Sequence, residues 1–378
     1  MDFAWTDEDA EYRQEVRGFL GEHLPPGWSG YDKSNLPQYK ADAKRFAMAL
    51  ADKGWLVQSW PKAYGGSEAS PWRQAILSEE LWPIGEPRGS QYMNANWIGP
   101  AIMHAGSPEQ KMYHISRMAK GDVFWCQGFS EPDAGSDLPA LRTRAVRDGD
   151  HYVVNGSKIW TSHVGIADYI FLLVRTDPEA SKREGISILI FPLDTPGLEV
   201  RHIDGFVGEQ SFHHLVFTDM RVPVSCLLGE ENRGWPIVQY ALAYERVGAA
   251  HYRTAELILE DAVAEAKRNG MIDDPEMQTR IGLAYAAIKT AQWLTYRVVD
   301  LRANNSPPTA DSNLARVAQT QALQAAGTLA ADIYGADGLE AKSRGDIRRV
   351  LAYSVAGGTT EMQLDQIASR WLYLPRAK

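Results

Sequence analysis

The sequence predicts an α+β protein of several domains. We expect an N-terminal all-α domain over residues 1–123, a middle antiparallel β-barrel or sandwich over 124–232, and a C-terminal four-helix bundle over 233–378. Two observations lead to this order. Apolar residues recur with helical spacing at both ends of the chain and alternate with a period of two in the middle. No helical pattern separates the short apolar runs of the middle region, which favours an antiparallel sheet over a doubly wound one.

Start signals divide the N-terminal region into helices. Thr6 can cap a first helix with Asp9 at its third position, and two consecutive prolines at 25–26 end that helix. Ser70 and Ser107 each precede a proline, which is the usual order of a capping residue and the first helical residue. A further helix is predicted over residues 40–53, ending at a glycine.

The middle region has the residues of strands and tight turns. A hairpin is predicted from Arg142 to Val154, with its turn at residues 148–150. Runs rich in isoleucine, valine and phenylalanine predict further strands within 168–175, 185–193 and 212–217. Beyond residue 234 the helical spacing returns, over 236–268, 275–303 and 310–334. Long helices with short connections are typical of an antiparallel bundle.

Composition limits the classes of function. The formal net charge of −9 and the lack of a basic run argue against nucleic acid as a partner. Two cysteines, Cys126 and Cys226, are too few for a disulfide framework or a metal cluster. No apolar run approaches the roughly 20 residues of a membrane span, and the acidic N-terminus has no apolar signal core. We therefore expect a cytoplasmic protein without a membrane span.

Common catalytic signatures are missing. The sequence has no Gly-x-Gly-x-x-Gly, Walker A, His-Glu-x-x-His or Gly-x-Ser-x-Gly motif. His213 and His214 are adjacent within a predicted strand, so their rings should point to opposite faces and not share a metal. One carboxylate, Glu245, interrupts an apolar helical turn. Such a carboxylate is either functional or an ordinary, partly solvated helix residue.

Residues 125–162 organise the sequence. Small residues at 134–136 leave backbone N–H groups open to a closely approaching ligand. A predicted strand then ends with Trp160 between Lys158 and Ser162, an aromatic ring with hydroxyls beside it. This pattern suits the binding of a flat heterocycle, and it equally suits a surface turn followed by a core tryptophan.

The whole chain resembles the acyl-CoA dehydrogenase family of flavoproteins. The resemblance is carried by Ser130-Glu131-Pro132 with Ala134-Gly135-Ser136-Asp137, Asn155-Gly156-Ser157-Lys158-Ile159-Trp160, Leu227-Leu228-Gly229-Glu230 with Gly234-Trp235, and Gly357-Gly358-Thr359-Thr360-Glu361. It implies FAD as cofactor, an acyl-CoA as substrate and an electron-transferring flavoprotein as oxidant. The cofactor contacts that it implies are Phe129, Ser130, Trp160, Ser162, Thr359 and Glu361, and Ser136 would contact the coenzyme A portion.

The resemblance also implies where the catalytic base lies. Many relatives carry a glutamate just before the late Gly-Thr, but here that position is Gly357. Another subgroup carries it on a bundle helix, and Tyr244-Glu245-Arg246 matches that pattern. Glu245 is therefore the expected base, Gly357 would offer its backbone N–H to the substrate, and Tyr244 and Arg246 would face the substrate.

Two elements depart from the family pattern. Relatives clamp the ADP half of FAD from a neighbouring subunit; here Arg280 is the candidate for one element, and the other begins with Asp332. An aspartate facing a pyrophosphate is electrostatically unfavourable. Four alternatives stay open: a homomeric dehydrogenase, tetrameric or dimeric; a subunit of a heteromeric dehydrogenase; a flavin monooxygenase; and a non-catalytic structural subunit.

Overall fold

The computed structural model describes residues 5–31, 33–205, 212–245, 250–306, 310–335 and 347–375, without the side chains of 243–245 and 347–349. The chain forms two compact units. The helical unit contains Met1–Gly30, Ser70–Glu86 and Arg246–Lys378, and the sheet unit contains Tyr31–Ala69 and Pro87–Glu245. The predicted order of helical, sheet and helical regions is confirmed.

Helices make up most of the described chain. The α-helices are Asp7–His23, Leu36–Asp52, Pro71–Leu81, Gln91–Met93, Gly99–Ala105, Pro108–Gln110, Ser116–Ala119, Gly234–Glu245, His251–Arg268, Pro275–Ala303, Asp311–Tyr334, Ile347–Ala352 and Thr360–Arg370. Two π-helical turns, Asn94–Ile98 and Lys111–Ile115, join neighbouring α-helices. Short 3₁₀ turns lie at Lys62–Tyr64, Trp82–Ile84, Leu138–Ala140, Val164–Ile166, Val224–Cys226 and Met271–Asp273.

The predicted caps hold the N-terminal helices. The Thr6 side chain accepts from the backbone N–H of Asp9, and the Asp9 carboxylate accepts from the backbone N–H of Thr6. Together these two bonds form a capping box. Ser70 and Ser107 accept the equivalent bonds at the starts of their helices. These bonds satisfy N–H groups that a helix leaves without intrahelical partners.

Seven strands form the curled sheet within the described part of the sheet unit. They are β1 (Trp125–Gly128), β2 (Arg144–Asp148), β3 (His151–Ser162), β4 (Tyr169–Arg175), β5 (Ile186–Pro192), β6 (Leu198–Ile203) and β7 (Phe212–Pro223). Their order is β1-β4-β2-β3-β7-β6, with β5 paired to β4. The predicted β2–β3 hairpin is present, and Gly149 takes φ +63° in its turn. Inward side chains of β3, β4, β5 and β7 form the core of the sheet.

Two details of the sheet differ from the prediction. β4 pairs in parallel with β1 and at one position with β2, so the sheet is mixed and not wholly antiparallel. The strands β1 and β6 were not predicted. β1 has only four residues. Most side chains of β6 are exposed, so its sequence lacks the alternation that burial of one face produces, and β6 is held by pairing with β7.

The helical unit is built around three long helices. His251–Arg268, Pro275–Ala303 and Asp311–Tyr334 pack against one another, and Thr360–Arg370 packs on Asp311–Tyr334. The predicted single helix over 236–268 is wrong as a continuous element. The structure describes two helices, Gly234–Glu245 and His251–Arg268, and Ala250 has a non-helical ψ of 57°.

Candidate flavin and substrate site

Backbone hydrogen bonds tie the loop after β1 to strand β3. The Ile159 N–H donates to the carbonyl of Ser130 at 2.9 Å. The Lys158 ammonium donates to the carbonyl of Phe129 at 3.0 Å. The buried Phe129 ring lies 6.0 Å from that of Phe171 in β4. The structure therefore brings together Phe129, Ser130 and the end of β3, as the predicted cofactor site requires.

A buried ion pair fixes the same loop. The Lys158 ammonium contacts a Glu131 carboxylate oxygen at 2.7 Å, and both side chains are buried. Glu131 also accepts from the backbone N–H groups of Arg142, at 2.6 Å, and Thr143, at 2.9 Å. Burial opposes ionisation of Glu131, but Lys158 and these hydrogen bonds outweigh it and keep the pKa of Glu131 below its usual value. Burial lowers the pKa of Lys158 to about 8, against the raising effect of Glu131.

Trp160 stands out from the end of β3. Its backbone adopts φ +60°, a left-handed conformation that is unusual for a bulky residue, next to a register shift between Lys158 and Thr161. Its indole is 55% exposed, and its plane is perpendicular to the ring of Phe212 at 5.9 Å. A strained backbone that turns a large aromatic ring toward solvent is typical of a ligand-binding position. The alternative of a core tryptophan at this position is therefore wrong.

Two hydroxyls near the end of β3 are available to a ligand. Ser130 and Ser162 are half-buried, and neither hydroxyl makes a hydrogen bond to another residue that the structure describes. After Ser162 the chain turns at His163, with φ +63°. Burial, with smaller effects from Lys33 and His213, lowers the pKa of His163 to about 3, so its ring is neutral at working pH.

Ser136 lies in the open part of the loop. Glu131 and Ala134 exchange two backbone hydrogen bonds around a tight turn, at 3.0 and 3.1 Å. Ser136 follows that turn and is exposed, and a Cβ added at Gly135 would meet no heavy atom within 4 Å. The backbone at 135–136 is accessible to a ligand. The expectation of an open N–H group is wrong for Ala134, which is buried and donates to the Glu131 carbonyl.

The other residues predicted to contact the cofactor are part of the helical unit. Thr359 is the N-cap of the helix Thr360–Arg370, and its hydroxyl accepts from the Met362 N–H at 3.2 Å. Glu361 is exposed in the first turn of that helix. Gly357 has φ +68° and Gly358 φ +92°. A side chain at Gly357 would have to adopt this left-handed conformation, which costs roughly 1–2 kcal/mol for an L-residue.

The predicted base lies at a helix end. Tyr244 and Glu245 are the last two residues of Gly234–Glu245, and the structure describes their backbone only. Arg246 lies outside the described residues. Their roles as base and substrate contacts stay predictions.

The residues of the sheet unit fit the flavin of FAD. An exposed aromatic ring can cover a flat heterocycle, and unbonded hydroxyls with a fixed backbone can bind its polar edge. Within the described ranges, no group of three His, Cys, Asp or Glu side chains could hold a metal ion. His213 is buried while His214 is half-buried, as neighbours on opposite faces of a strand should be. None of the described helices is both long and apolar enough to span a membrane.

Sequence reasoning missed the supporting residues of this site. Lys158 had no predicted role beyond its place in the family motif. It is nevertheless an even number of residues from Tyr152 and Val154, whose side chains point inward from β3. A lysine at an inward position needs a buried partner, and this could have pointed to Glu131. His163 gave no signal, because its position depends on the left-handed turn that ends β3.

Comparison with known proteins accounts for the whole chain. Family models for the N-terminal, middle and C-terminal domains of acyl-CoA dehydrogenase match residues 6–122, 126–220 and 232–372. Among curated proteins, acyl-CoA dehydrogenase FadE26 of Mycobacterium tuberculosis (strain ATCC 25618 / H37Rv) is 34% identical over 100% of both chains. Acyl-CoA dehydrogenase FadE29 of the same organism is 32% identical over 98% of each chain.

Solved structures give the same result. The Tcur3481-Tcur3483 steroid ACAD has a TM-score of 0.89 and 31% identity, with complete coverage of both chains. The ChsE4-ChsE5 complex from Mycobacterium tuberculosis has a TM-score of 0.88 and 32% identity, also with complete coverage. The chain therefore belongs to the acyl-CoA dehydrogenase family and is an oxidoreductase.

Proposed function

We propose that this protein is an FAD-dependent enzyme that converts an acyl-CoA thioester into a 2-enoyl-CoA. The observation that carries the proposal is the fixed loop beside Trp160. Lys158 and Ile159 of β3 hold the carbonyls of Phe129 and Ser130, while the indole stays exposed. Such a preorganised surface suits a flat cofactor, because little ordering remains to be done on binding.

The reaction removes two hydrogens from adjacent carbons. The α-hydrogen leaves as a proton to a base, and the β-hydrogen leaves with its electron pair. FAD, when bound, supplies the acceptor for that hydride. An α-proton of a thioester is weakly acidic, so the chain must both take the proton and stabilise the charge that develops on the thioester oxygen.

We assign the proton to Glu245 and the charge to the N–H of Gly357. Gly357 has no side chain that could act as a base, so its contribution is limited to the backbone. Glu245 ends an apolar helix, where binding of an acyl chain would exclude water from a carboxylate. Exclusion of water raises a carboxyl pKa toward the working pH, which makes the group a better base. Ser136, Tyr244 and Arg246 would contact the thioester and its coenzyme A portion.

The test is anaerobic reduction of the bound flavin by a panel of acyl-CoA thioesters. Glu245→Gln keeps the size of the side chain and cannot accept the proton. We expect this variant to bind FAD and thioester normally and to reduce flavin roughly 10²–10⁴-fold more slowly. Glu265→Gln is the control: Glu265, on another helix, pairs with the exposed Arg268, and this variant should reduce flavin at the parental rate. Parental reduction rates in Glu245→Gln would show that the base is another residue.

One observation favours a heteromeric assembly. Arg280 and Asp332, at the positions where relatives donate to a neighbour's FAD, form an ion pair with each other. An arginine paired in this way is less available to a pyrophosphate across an interface. Two similar structures, with full coverage, carry the names of two different chains in their titles. We therefore propose that this chain is one subunit of a hetero-oligomer and does not clamp the ADP of a neighbour's FAD; a homo-oligomer is the alternative.

Native mass spectrometry of the chain expressed alone tests the assembly. A homotetramer with one FAD per chain would exclude the heteromeric proposal. Since one similar structure is named a steroid ACAD, the substrate panel should include polycyclic acyl-CoA thioesters beside linear and branched ones. An electron-transferring flavoprotein is the proposed oxidant, and failure of the reduced enzyme to pass electrons to such a protein would exclude it.

A further inference from the structure

Three consecutive carbonyls in the late glycine loop are held by buried side chains. Arg316, on the helix Asp311–Tyr334, donates through one guanidinium nitrogen to the carbonyl of Ala356 at 2.7 Å. Gln363 donates to the carbonyls of Gly357 and Gly358, each at 3.3 Å. Both side chains are buried. The loop 356–359 is therefore fixed from one side by its carbonyl oxygens.

Because a peptide unit is planar, a carbonyl held in place also fixes the direction of the N–H group in the same unit. The peptide bonds described are not cis, so each N–H points opposite to the carbonyl of the same peptide unit. The N–H of Gly357 shares its peptide unit with the Ala356 carbonyl, which Arg316 holds. Neither this N–H nor those of Gly358 and Thr359 donates to an acceptor in the part of the chain that the structure describes. All three are directed away from the side chains that hold the carbonyls.

Arg316 is also the group that lies against Gly357. A Cβ added at Gly357 would have one neighbour within 4 Å, the Arg316 guanidinium nitrogen at 3.9 Å. The same nitrogen donates to the carbonyl of Tyr353 at 2.8 Å, just after the helix Ile347–Ala352. A buried cation that donates to the carbonyl of a peptide unit polarises that unit and strengthens its N–H as a donor.

We propose that Arg316 is a positioning residue for catalysis, which aims and strengthens the Gly357 N–H toward the developing thioester oxyanion. This inference rests on the proposed function, since it takes the Gly357 N–H as the donor. Arg316 acts through the peptide unit and does not touch the substrate. Its positive charge, fixed beside the loop, adds to stabilisation of the oxyanion without reorganisation during the reaction.

Gln363 provides a matched control. It lies in the first turn of the helix Thr360–Arg370 and donates to the same loop, and its amide oxygen accepts from Asn313, one helical turn before Arg316, at 2.5 Å. It holds the carbonyls that belong to the N–H groups of Gly358 and Thr359, and not the one that belongs to Gly357. A purely structural loop would respond alike to loss of Arg316 or of Gln363. If Arg316 acts on the oxyanion, the two losses differ.

The experiment compares Arg316→Met, Arg316→Lys and Gln363→Met with the parent as purified holoenzyme. The first measurement is the rate of anaerobic flavin reduction by the best thioester of the panel. The second is the apparent pKa of the α-proton of bound 3-thiaoctanoyl-CoA, read from the long-wavelength absorbance that its enolate produces with oxidised flavin. Flavin occupancy and unfolding midpoint are recorded for every variant.

We expect Arg316→Met to slow reduction about 10²-fold, within the range that weakened oxyanion stabilisation produces, and to raise the ligand's apparent pKa by about two units. Arg316→Lys keeps the charge, and we expect it to reduce flavin about tenfold faster than Arg316→Met. Gln363→Met should leave the ligand's apparent pKa unchanged while flavin occupancy falls.

Equal rates and equal ligand pKa in the parent and Arg316→Met would overturn the inference. So would parallel losses in Arg316→Met and Gln363→Met, with the ligand pKa unchanged in both, because a structural role predicts that result. If Arg316→Met does not fold, Arg316→Lys decides by the same two measurements. A parent protein that binds FAD but is reduced by no thioester would overturn the proposed function and this inference with it.

Discussion

The ion pair between Lys158 and Glu131 offers the sharpest test of how the flavin loop is held. Lys158→Met keeps an unbranched apolar stem, one atom shorter, and removes the charge and both hydrogen bonds of the side chain, to Phe129 and Glu131. The Glu131 carboxylate would then be left buried without a cation. Removing one partner of a buried pair costs about 3–5 kcal/mol. Two backbone N–H bonds to Glu131 persist, so we expect a loss near the lower end, about 3 kcal/mol.

The assay is urea denaturation of holo and apo protein, followed by circular dichroism, with flavin occupancy measured after gel filtration. Lys182→Met is the matched control, because Lys182 pairs with Asp137 in the same unit at 2.6 Å while the two side chains are 69% and 56% exposed. An exposed pair of this kind contributes at most about 1 kcal/mol. We expect Lys158→Met to lose flavin as well as stability, and Lys182→Met to keep both.

Equal stability losses in Lys158→Met and Lys182→Met would refute the reasoning about the buried pair. Full flavin occupancy in a destabilised Lys158→Met would refute the link to the cofactor loop, because the Phe129 carbonyl would then need no donor to keep the loop in place.

Two further predictions concern an exposed and a buried ring. Trp160→Ala should weaken flavin binding about fivefold or more, measured by equilibrium dialysis, since a lost stacking aromatic costs roughly 1 kcal/mol. The apo protein should keep its stability, measured by denaturation, because the ring is exposed. Burial and Arg117 lower the pKa of His114 from 6.5 to about 4. Between these two pH values the unfolded chain binds a proton at this residue that the folded protein does not bind. Stability should therefore fall with decreasing pH in that window by up to about 1.4 kcal/mol per unit, and His114→Phe should lack this contribution. An unchanged pH dependence in His114→Phe would contradict the assignment.

Local signals in the sequence were sufficient for many elements. The caps at Thr6, Ser70 and Ser107 and the turn at Gly149 were predicted because each depends on a few neighbouring residues. The strands β4 and β5 were predicted because both of their faces are largely buried and their sequences are mostly apolar. In each case the physical cause of the element lies within the segment itself.

Elements that depend on distant partners were harder to predict. The edge strand β6 is stabilised by pairing with β7, and the parallel pairing of β1 with β4 joins segments more than 40 residues apart. The separation of Gly234–Glu245 from His251–Arg268 was also missed, because apolar residues continue with helical spacing across residues 246–250. The predicted domain bounds at 123 and 232 stay predictions; the first helix and Pro71–Leu81 are part of the helical unit.

The site divides in the same way. The sequence by itself determined the family resemblance and the identity of Phe129, Ser130 and Trp160, because these residues form short motifs. Only the tertiary structure decided what holds them: Lys158 reaches Glu131 across 27 residues, and Arg316 reaches Ala356 across 40. A buried charge is stable only beside the partner that the fold brings to it, and no spacing along the chain specifies that partner.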